Sequence, residues 1–335
     1  MSVELASVCP LDCPDTCSLT VTVEDGQVAK VRGSTANPLT NGVVCNKVAR
    51  YYPDFVHGKN RLRHPMKRVG PKGGEEFERI SWDEAIDTIH ERFSAIIEEH
   101  GPQAIMPYNY AGPHGLLAMG SMDLRFFHRL GATLLFRRAM CGGVKSEAFM
   151  GTFGTAGAMQ PEQCANSKLI VVWGNNVTYC NLHLAPIIKK AKAEGAKLIV
   201  VDPKRIKIAE QADMYLPVRP GMDLILAWAI AVELEKIGGF DPAFIDAHVE
   251  GAEEFMAEAR KFTIEESSDL CGVPVEDIRA FARLYKDTSP AAISVGNGLE
   301  RNQNGGNGIR AIFAIPALAG KFGVAGGGIV GGAGN

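Results

Sequence analysis

No stretch of this sequence supplies the run of about 20 apolar residues that a membrane-spanning helix requires, and neither sign of charge prevails. Thirty-five Lys and Arg stand against 38 Asp and Glu, leaving a net charge of −3. That balance gives no field strong enough to hold nucleic acid or an anionic bilayer surface. The opening MSVELASV has neither a twin-arginine pair nor a hydrophobic signal core, so the expected location is the cytoplasm. Eight cysteines in a reducing compartment argue for metal chemistry rather than disulfide staples. The length of 335 residues suffices for two or three domains.

Four of those cysteines carry most of the information. Cys9, Cys13 and Cys17 are separated by three residues each, and Cys45 follows after a gap of 27. Three close thiolates and one distant thiolate suit a four-iron, four-sulfur cluster, with one Cys per iron. A helix bearing the first three is excluded by Pro10 and Pro14. A Cys₄ zinc site remains open, although its ligands usually come as two paired knuckles. Disulfides, which need an oxidising compartment, and plain core thiols also stay open at this point.

Residues 18–23 and 27–31 alternate apolar and polar around Asp25-Gly26, the pattern of a hairpin with a tight turn. Residues 1–60 therefore read as a small β-rich cluster domain, and the polar stretch 59–78 as a link. Ser81 followed by Glu84 predicts a capping box at the start of a helix that runs to about His100. A strand is expected over 104–108, a helix over 114–130 and a strand over 132–136. Short apolar runs at 168–173, 197–201, 214–218 and 291–295 alternate with helical stretches at 183–194, 223–237, 275–285 and 308–318. Runs apolar on both faces and separated by helices predict Rossmann-like α/β domains with mostly parallel sheets. The glycine-rich end, GKFGVAGGGIVGGAGN, reads as having no closing helix or strand.

In order along the chain stand Cys9-x₃-Cys13-x₃-Cys17…Cys45-x-Lys47, Arg61-Leu62…Pro65…Arg68-x-Gly70, Ile80-Ser81-Trp82-Asp83-Glu84-Ala85, Trp173-Gly174-Asn175-Asn176 and Val201-Asp202-Pro203-Lys204-Arg205. Ala212-Asp213, Pro220-Gly221-x-Asp223 and Gly296-x-Gly298 leading to Gly320-x-x-Gly323 complete the series. Each is weak alone, but their succession resembles the molybdenum- or tungsten-bis(pterin guanine dinucleotide) oxidoreductases, the dimethyl-sulfoxide-reductase superfamily. The resemblance implies a cluster domain at 1–60, the first part of a pterin-binding α/β domain at 61–135, and a guanine-dinucleotide-binding α/β domain at 136–335. Gly174, Asn175 and Asn176 end one predicted strand and Asp202, Pro203 and Lys204 the next, where open α/β sheets bind nucleotides. A carboxylate such as Asp202 can accept two hydrogen bonds from ribose or guanine. Asp223, after Gly221, is read either as a second such group or as a helix cap. Lys47 is implied to lie between cluster and pterin, where a cation stabilises reduced states; a solvated surface lysine is the plainer reading.

Cys141 stands in Arg137-Arg138-Ala139-Met140-Cys141-Gly142-Gly143, where the family presents a ligand to Mo or W. A thiolate suits a soft metal, and the flanking glycines admit a bulky cofactor; a buried thiol is the plainer reading here too. Cys164, Cys180 and Cys271 are expected in the core. Arg310 matches a substrate-binding arginine of formate dehydrogenases. Two departures disfavour formate: Gly142 follows Cys141 where those enzymes carry His, and Asn302 stands where they carry a second His. The resemblance implies two-electron chemistry on a small molecule, with electrons passed singly by way of Lys47 to the cluster and on to a partner protein. A non-redox hydratase or transhydroxylase, and a cluster- and nucleotide-binding module without activity, are the rival readings. Members of this type run to about twice this length, so the chain is expected to be a fragment or one half of a split enzyme, completed by a second chain.

Overall fold

The computed structural model describes residues 1–11, 15–109, 112, 121–135, 142–155 and 157–331. Two compact units divide it, Met1–Phe136 and Arg137–Asn335.

In the first unit, β1 (Ser2–Val8), β2 (Ser18–Glu24) and β3 (Gln27–Gly33) form an antiparallel sheet in that order. The hairpin expected between β2 and β3 is present, with Asp25 and Gly26 at φ +47° and +78°, the backbone that a primed two-residue turn demands. Helix α1 (Asn46–His57) packs on β3. A short antiparallel pair, β4 (Met66–Arg68) with β5 (Phe77–Arg79), occupies the stretch expected to be only a link. Helix α2 (Trp82–His100) starts where predicted, with Ser81 Oγ accepting from the Glu84 N–H at 3.0 Å. The reciprocal half of the capping box is replaced, because the Glu84 carboxylate faces Lys67 Nζ at 3.5 Å. Residues 104–108 are not a strand: Ala104 closes a short 3₁₀ turn and Pro107 has no N–H to give a ladder. Residues 132–135 are likewise irregular; helix α3 (Met122–Leu130) ends at Gly131 with φ +79°.

The second unit holds one parallel sheet. In chain order come α4 (Gly143–Phe153), β6 (Leu169–Trp173), α5 (Leu184–Ala193), β7 (Lys197–Val201), β8 (Met214–Leu216), α6 (Asp223–Lys236), α7 (Pro242–His248), α8 (Ala252–Ala259), α9 (Ile264–Cys271), α10 (Val275–Asp287), β9 (Ala291–Val295), α11 (Gly305–Leu318) and β10 (Gly328–Val330). The sheet order is β10-β9-β6-β7-β8, all parallel. Every residue of β6 and β9 is buried. One face, with Leu169, Val171, Trp173 and Ile293, packs under α4, α6, α10 and α11. The other, with Ile170, Val172, Leu198 and Val200, packs under α5. Such double coverage is what removes the alternation from a strand's sequence. The helices at 242–271 are short and were not expected. Nor was β10: the glycine-rich end does close the sheet, with Ile329 and Val330 buried.

Asp213 ties this layer together. Its carboxylate accepts from Lys192 Nζ at 2.6 Å, Lys197 Nζ at 3.0 Å and the Leu198 N–H at 2.8 Å. Burial alone would raise its pKa, but these donors prevail and hold it at about 2, below the ordinary 3.8. A depressed acid stabilises the fold above its unfolded pKa and loses that contribution as pH falls through the folded one. Asp213→Asn is therefore expected to lower the unfolding free energy at pH 7 by about 1–2 kcal/mol after allowance for partial exposure. Denaturation at pH 7 and pH 2.5 checks this, because the gap between variant and wild type should shrink at the lower pH.

Candidate functional site

The first unit gathers the cysteines it describes. Cys9 and Cys17 are 6% and 7% exposed and share one small core with Val31 and Val48, against which Cys45 is packed. The Cys9 N–H donates to the Cys17 carbonyl at 2.8 Å. Burial pushes the Cys9 thiol up; the charges of Cys17 and Cys45 push it further, and the Lys47 ammonium pulls it down. Cys17, Cys45 and the Lys47 ammonium thus all lie within electrostatic reach of Cys9. Cys45 is the N-cap residue of α1 and Lys47 lies in the helix's first turn, exposed, so a Cys45 thiolate sits at a positive helix end. None of the three is in a disulfide. Among the described residues no three His, Cys, Asp or Glu already form a metal-ligand group; Cys13 lies outside them. An all-sulfur donor set with Cys9 and Cys17 buried, Cys45 half-buried and a cation beside them fits a four-iron cluster.

In the second unit the site grows from the order of the strands. β6 leads through α5 to β7 on one side, and its other neighbour β9 leads through α11 to β10 on the opposite side. At such a reversal the two chain segments diverge and leave a crevice at the carboxyl ends of the strands. Two turns meet there without side chains between them. A Cβ on Gly296 would lie 2.1 Å from the Gly174 carbonyl oxygen and 2.6 Å from Asn175 Cα. Asn175 Nδ2 donates to Ser294 Oγ at 2.9 Å and Asn176 Oδ1 accepts from Thr178 Oγ1 at 3.0 Å.

Two carboxylates stand on the same edge. Asp202, after β7, is 9% exposed and accepts from the Lys204 N–H at 2.8 Å; the intervening Pro203 fixes that turn. Asp223 is the first residue of α6, whose N-cap is Met222. It is not the cap. Its Oδ1 instead accepts from Trp173 Nε1 at 2.7 Å. Gly221, just before, has φ +82°. Burial pushes the Asp202 carboxyl above its ordinary value against the pull of Lys204. Asp223 is raised by burial as well, the Trp173 N–H opposing and the Asp202 charge adding. A buried and a half-buried carboxylate that sense each other and keep acceptor oxygens are suited to bind the N–H and O–H groups of a ligand. The glycine crevice and these acids fit a nucleotide.

Other expected residues fall elsewhere. Arg310 is exposed and lines a cleft of about 1100 Å³ between α4, α6, α11 and the α7–α8 connection; none of Gly174, Asn175, Asp202 or Asp223 lines that cleft. Cys141 lies outside the described residues. Cys164 and Cys271 are buried as expected, but Cys180 is exposed, in the turns that follow β6. Sequence reading missed Trp173 as a partner of Asp223, and also a trio in which Lys145 at the start of α4 and Glu300 after β9 are buried and Asn297 is half-buried. The tryptophan directly preceding Gly174 was the available signal for the first; the trio has none.

Residues 61–332 match the molybdopterin oxidoreductase family and residues 4–56 the molybdopterin oxidoreductase Fe4S4 domain. The probable oxidoreductase YoaE of Bacillus subtilis is 39% identical over 97% of this chain and 47% of its own length. The probable oxidoreductase YyaE of the same organism is 36% identical over 96% of this chain and 47% of its own. Among solved structures, acetylene hydratase from Pelobacter acetylenicus superposes with a TM-score of 0.79 and 26% identity, over 94% of this chain and 44% of that one. The chain thus spans about half the length of the relatives it matches. With a match to the Fe4S4 domain and a family match that runs over most of its length, the chain belongs to the molybdopterin oxidoreductase family, whose cofactors are a 4Fe-4S cluster and molybdopterin.

Proposed function

We propose that the chain is the N-terminal part of a redox enzyme in which residues 1–60 hold the cluster, 61–135 begin a pterin-binding domain and 136–335 bind the guanine dinucleotide ends of a bis-pterin Mo or W cofactor. The observation that carries this reading is the grouping of Cys9, Cys17 and Cys45 beside the Lys47 ammonium. When bound, the metal would exchange electron pairs with a small molecule and the cluster would pass single electrons to a partner protein. Cys9, Cys13, Cys17 and Cys45 hold the irons, and Lys47 offsets the added negative charge. Gly174, Asn175 and Asn176 let nucleotide backbone approach the sheet edge. Asp202 and Asp223 accept from guanine or ribose, in turns set by Pro203, Lys204 and Gly221. Cys141 ligates the metal, and Arg310 contacts an anionic or polar substrate. A further polypeptide segment or chain supplies the rest of the cofactor's enclosure.

The likeness to acetylene hydratase favours a second reading, Lewis-acid chemistry without net electron transfer. Anaerobic purification with Fe, Zn, Mo and W analysis and assay of GMP released on acid hydrolysis tests the cofactor set. Iron near four per chain with GMP and Mo or W is the expected result; one zinc and no iron would overturn it. Turnover that stops when the electron acceptor is withheld supports the redox reading, and undiminished turnover supports the hydratase one.

A further inference from the structure

The charge of the first unit is unevenly spread. Residues 47–63 carry Lys47, Arg50, Lys59, Arg61 and Arg63 against one acid, Asp54, and all of these are exposed. Helix α2 of the same unit holds Arg92 against a majority of acids. The net charge of the chain is −3, so the cations of α1 and the segment after it are a local feature. An apolar surface stands among them. Tyr51 and Phe55, one helical turn apart and so on one face of α1, are 63% and 61% exposed. The Arg61 guanidinium lies over the Phe55 ring, 5.3 Å from its centroid, and its Nη1 donates to the Phe55 carbonyl at 3.1 Å. Exposed aromatic rings together with arginine are the composition that protein interfaces favour.

The patch connects inward. Tyr52 packs against the small core that holds Cys9 and Cys17. Burial raises its phenol and the Cys9 charge raises it further, so the ring lies within electrostatic reach of that sulfur. The Tyr52 and Phe55 ring centroids are 5.7 Å apart. Two neighbouring rings thus lead from the cysteines to the surface. Lys47, proposed to face the pterin, lies toward the other end of α1, about 12 Å from Phe55 along the axis at 1.5 Å per residue. Entry and exit of electrons are therefore separated along one helix.

We propose that Tyr51, Phe55 and Arg61, with Arg50 and Lys59 beside them, form the docking surface for an acidic one-electron carrier protein, and that Tyr52 links the cluster to that surface. This rests on the reading of Cys9, Cys13, Cys17 and Cys45 as cluster ligands. One electron passes between cluster and carrier, the one oxidised as the other is reduced. Carboxylates on the carrier pair with the cations and steer the encounter, and the rings supply the apolar centre of the small interface that redox pairs form.

The test uses the whole chain, its cluster reconstituted anaerobically, and two dithionite-reduced donors. One is a plant-type ferredoxin of net negative charge; the other is propyl viologen sulfonate, which has no net charge. Stopped-flow absorbance follows cluster reduction, and anisotropy of fluorescently labelled ferredoxin follows binding. The wild type is expected to accept electrons from ferredoxin at a rate that falls with added salt. Arg50→Glu combined with Arg61→Glu should slow that rate and weaken binding roughly 10-fold or more at low salt, with iron content and the dye rate unchanged. Tyr52→Leu, which keeps apolar bulk in the core, should slow reduction at saturating ferredoxin and leave binding intact. If Tyr52→Leu fails to hold iron, Phe55→Leu takes its place. An unslowed rate in the ring variant that holds iron overturns the inward link. Equal ferredoxin rates and affinities in wild type and the double variant overturn the docking surface, as does indifference to salt. If neither donor reduces the cluster, anisotropy decides alone: saturable, salt-sensitive binding that the double variant loses supports the surface, and no binding overturns it. Self-association of the chain that the double variant abolishes, with ferredoxin unaffected, gives the face to a second copy and overturns the carrier. A chain that takes up no iron defeats the cluster reading and this inference together, whereas a full complement of iron without a ferredoxin effect defeats the docking surface alone.

Discussion

Serine in place of Cys9, Cys17 or Cys45, one at a time, is expected to remove most of the iron from anaerobically purified protein and with it the broad visible absorption. A serine hydroxyl is a poorer, harder ligand than a thiolate, and in the proposed cluster each thiolate would serve its own iron, leaving no neighbour to take over. Cys13→Ser should behave alike. Substitution at Cys164 or Cys271 should leave iron untouched, since each lies buried in an apolar cluster of the second unit that holds no other described cysteine. Iron content and the visible spectrum of the four serine variants decide the matter. Full iron in any one of them would remove that residue from the ligand set.

The second large effect is expected at Gly296. An added methyl would meet backbone atoms, the Gly174 carbonyl oxygen at 2.1 Å and Asn175 Cα at 2.6 Å, and backbone cannot rotate away as a side chain can. Gly296→Ala must therefore part the turns after β6 and β9. Overpacking of this kind costs about 1–3 kcal/mol or more, which for a unit of this size lowers the melting temperature by about 2–4 °C per kcal/mol. The same shift displaces Asn175, so GMP recovered on acid hydrolysis should fall as well. Gly151→Ala is the matched control: in the last turn of α4, with nothing within 4 Å of its Cβ, it should be neutral or stabilising. Equal melting temperatures and equal GMP for Gly296→Ala and wild type would show that the crevice is looser than the contacts imply.

What the sequence disclosed follows from how local each signal is. β6 and β7 were legible because burial on both faces writes an apolar run, LIVVW or KLIVV, and β9 because AAISV is apolar but for the buried Ser294. Gly174, Asp202 and Asp223 were legible as site candidates because each ends a strand or opens a helix within a few residues. The helices between 242 and 271 were not, since elements of seven or eight residues show barely two turns of periodicity; the cues present were the Asp241-Pro242 start and the Thr263–Glu266 capping box. β10 was hidden by its glycines, because three residues set among glycines have little propensity of their own and are held by their parallel neighbour β9 and by Met159. Glu300 could not be found at all. Its partner is Lys145, and no spacing rule reaches across 155 residues.

One small contact near that late strand bears on how the protein behaves in concentrated solution. Met159, alone in an otherwise irregular stretch, lies along the outer side of β10, its N–H given to the Ile329 carbonyl and its carbonyl taken by the Gly331 N–H, both at 2.9 Å. A three-residue strand at a sheet border has few outward ladder groups, and a single methionine occupies these two. The far border, β8, is equally brief. A stray strand from another molecule therefore finds scarcely any template to extend, so the largest sheet in the protein is protected from edge-to-edge polymerisation by the shortness of its borders and one residue's backbone rather than by charge or proline.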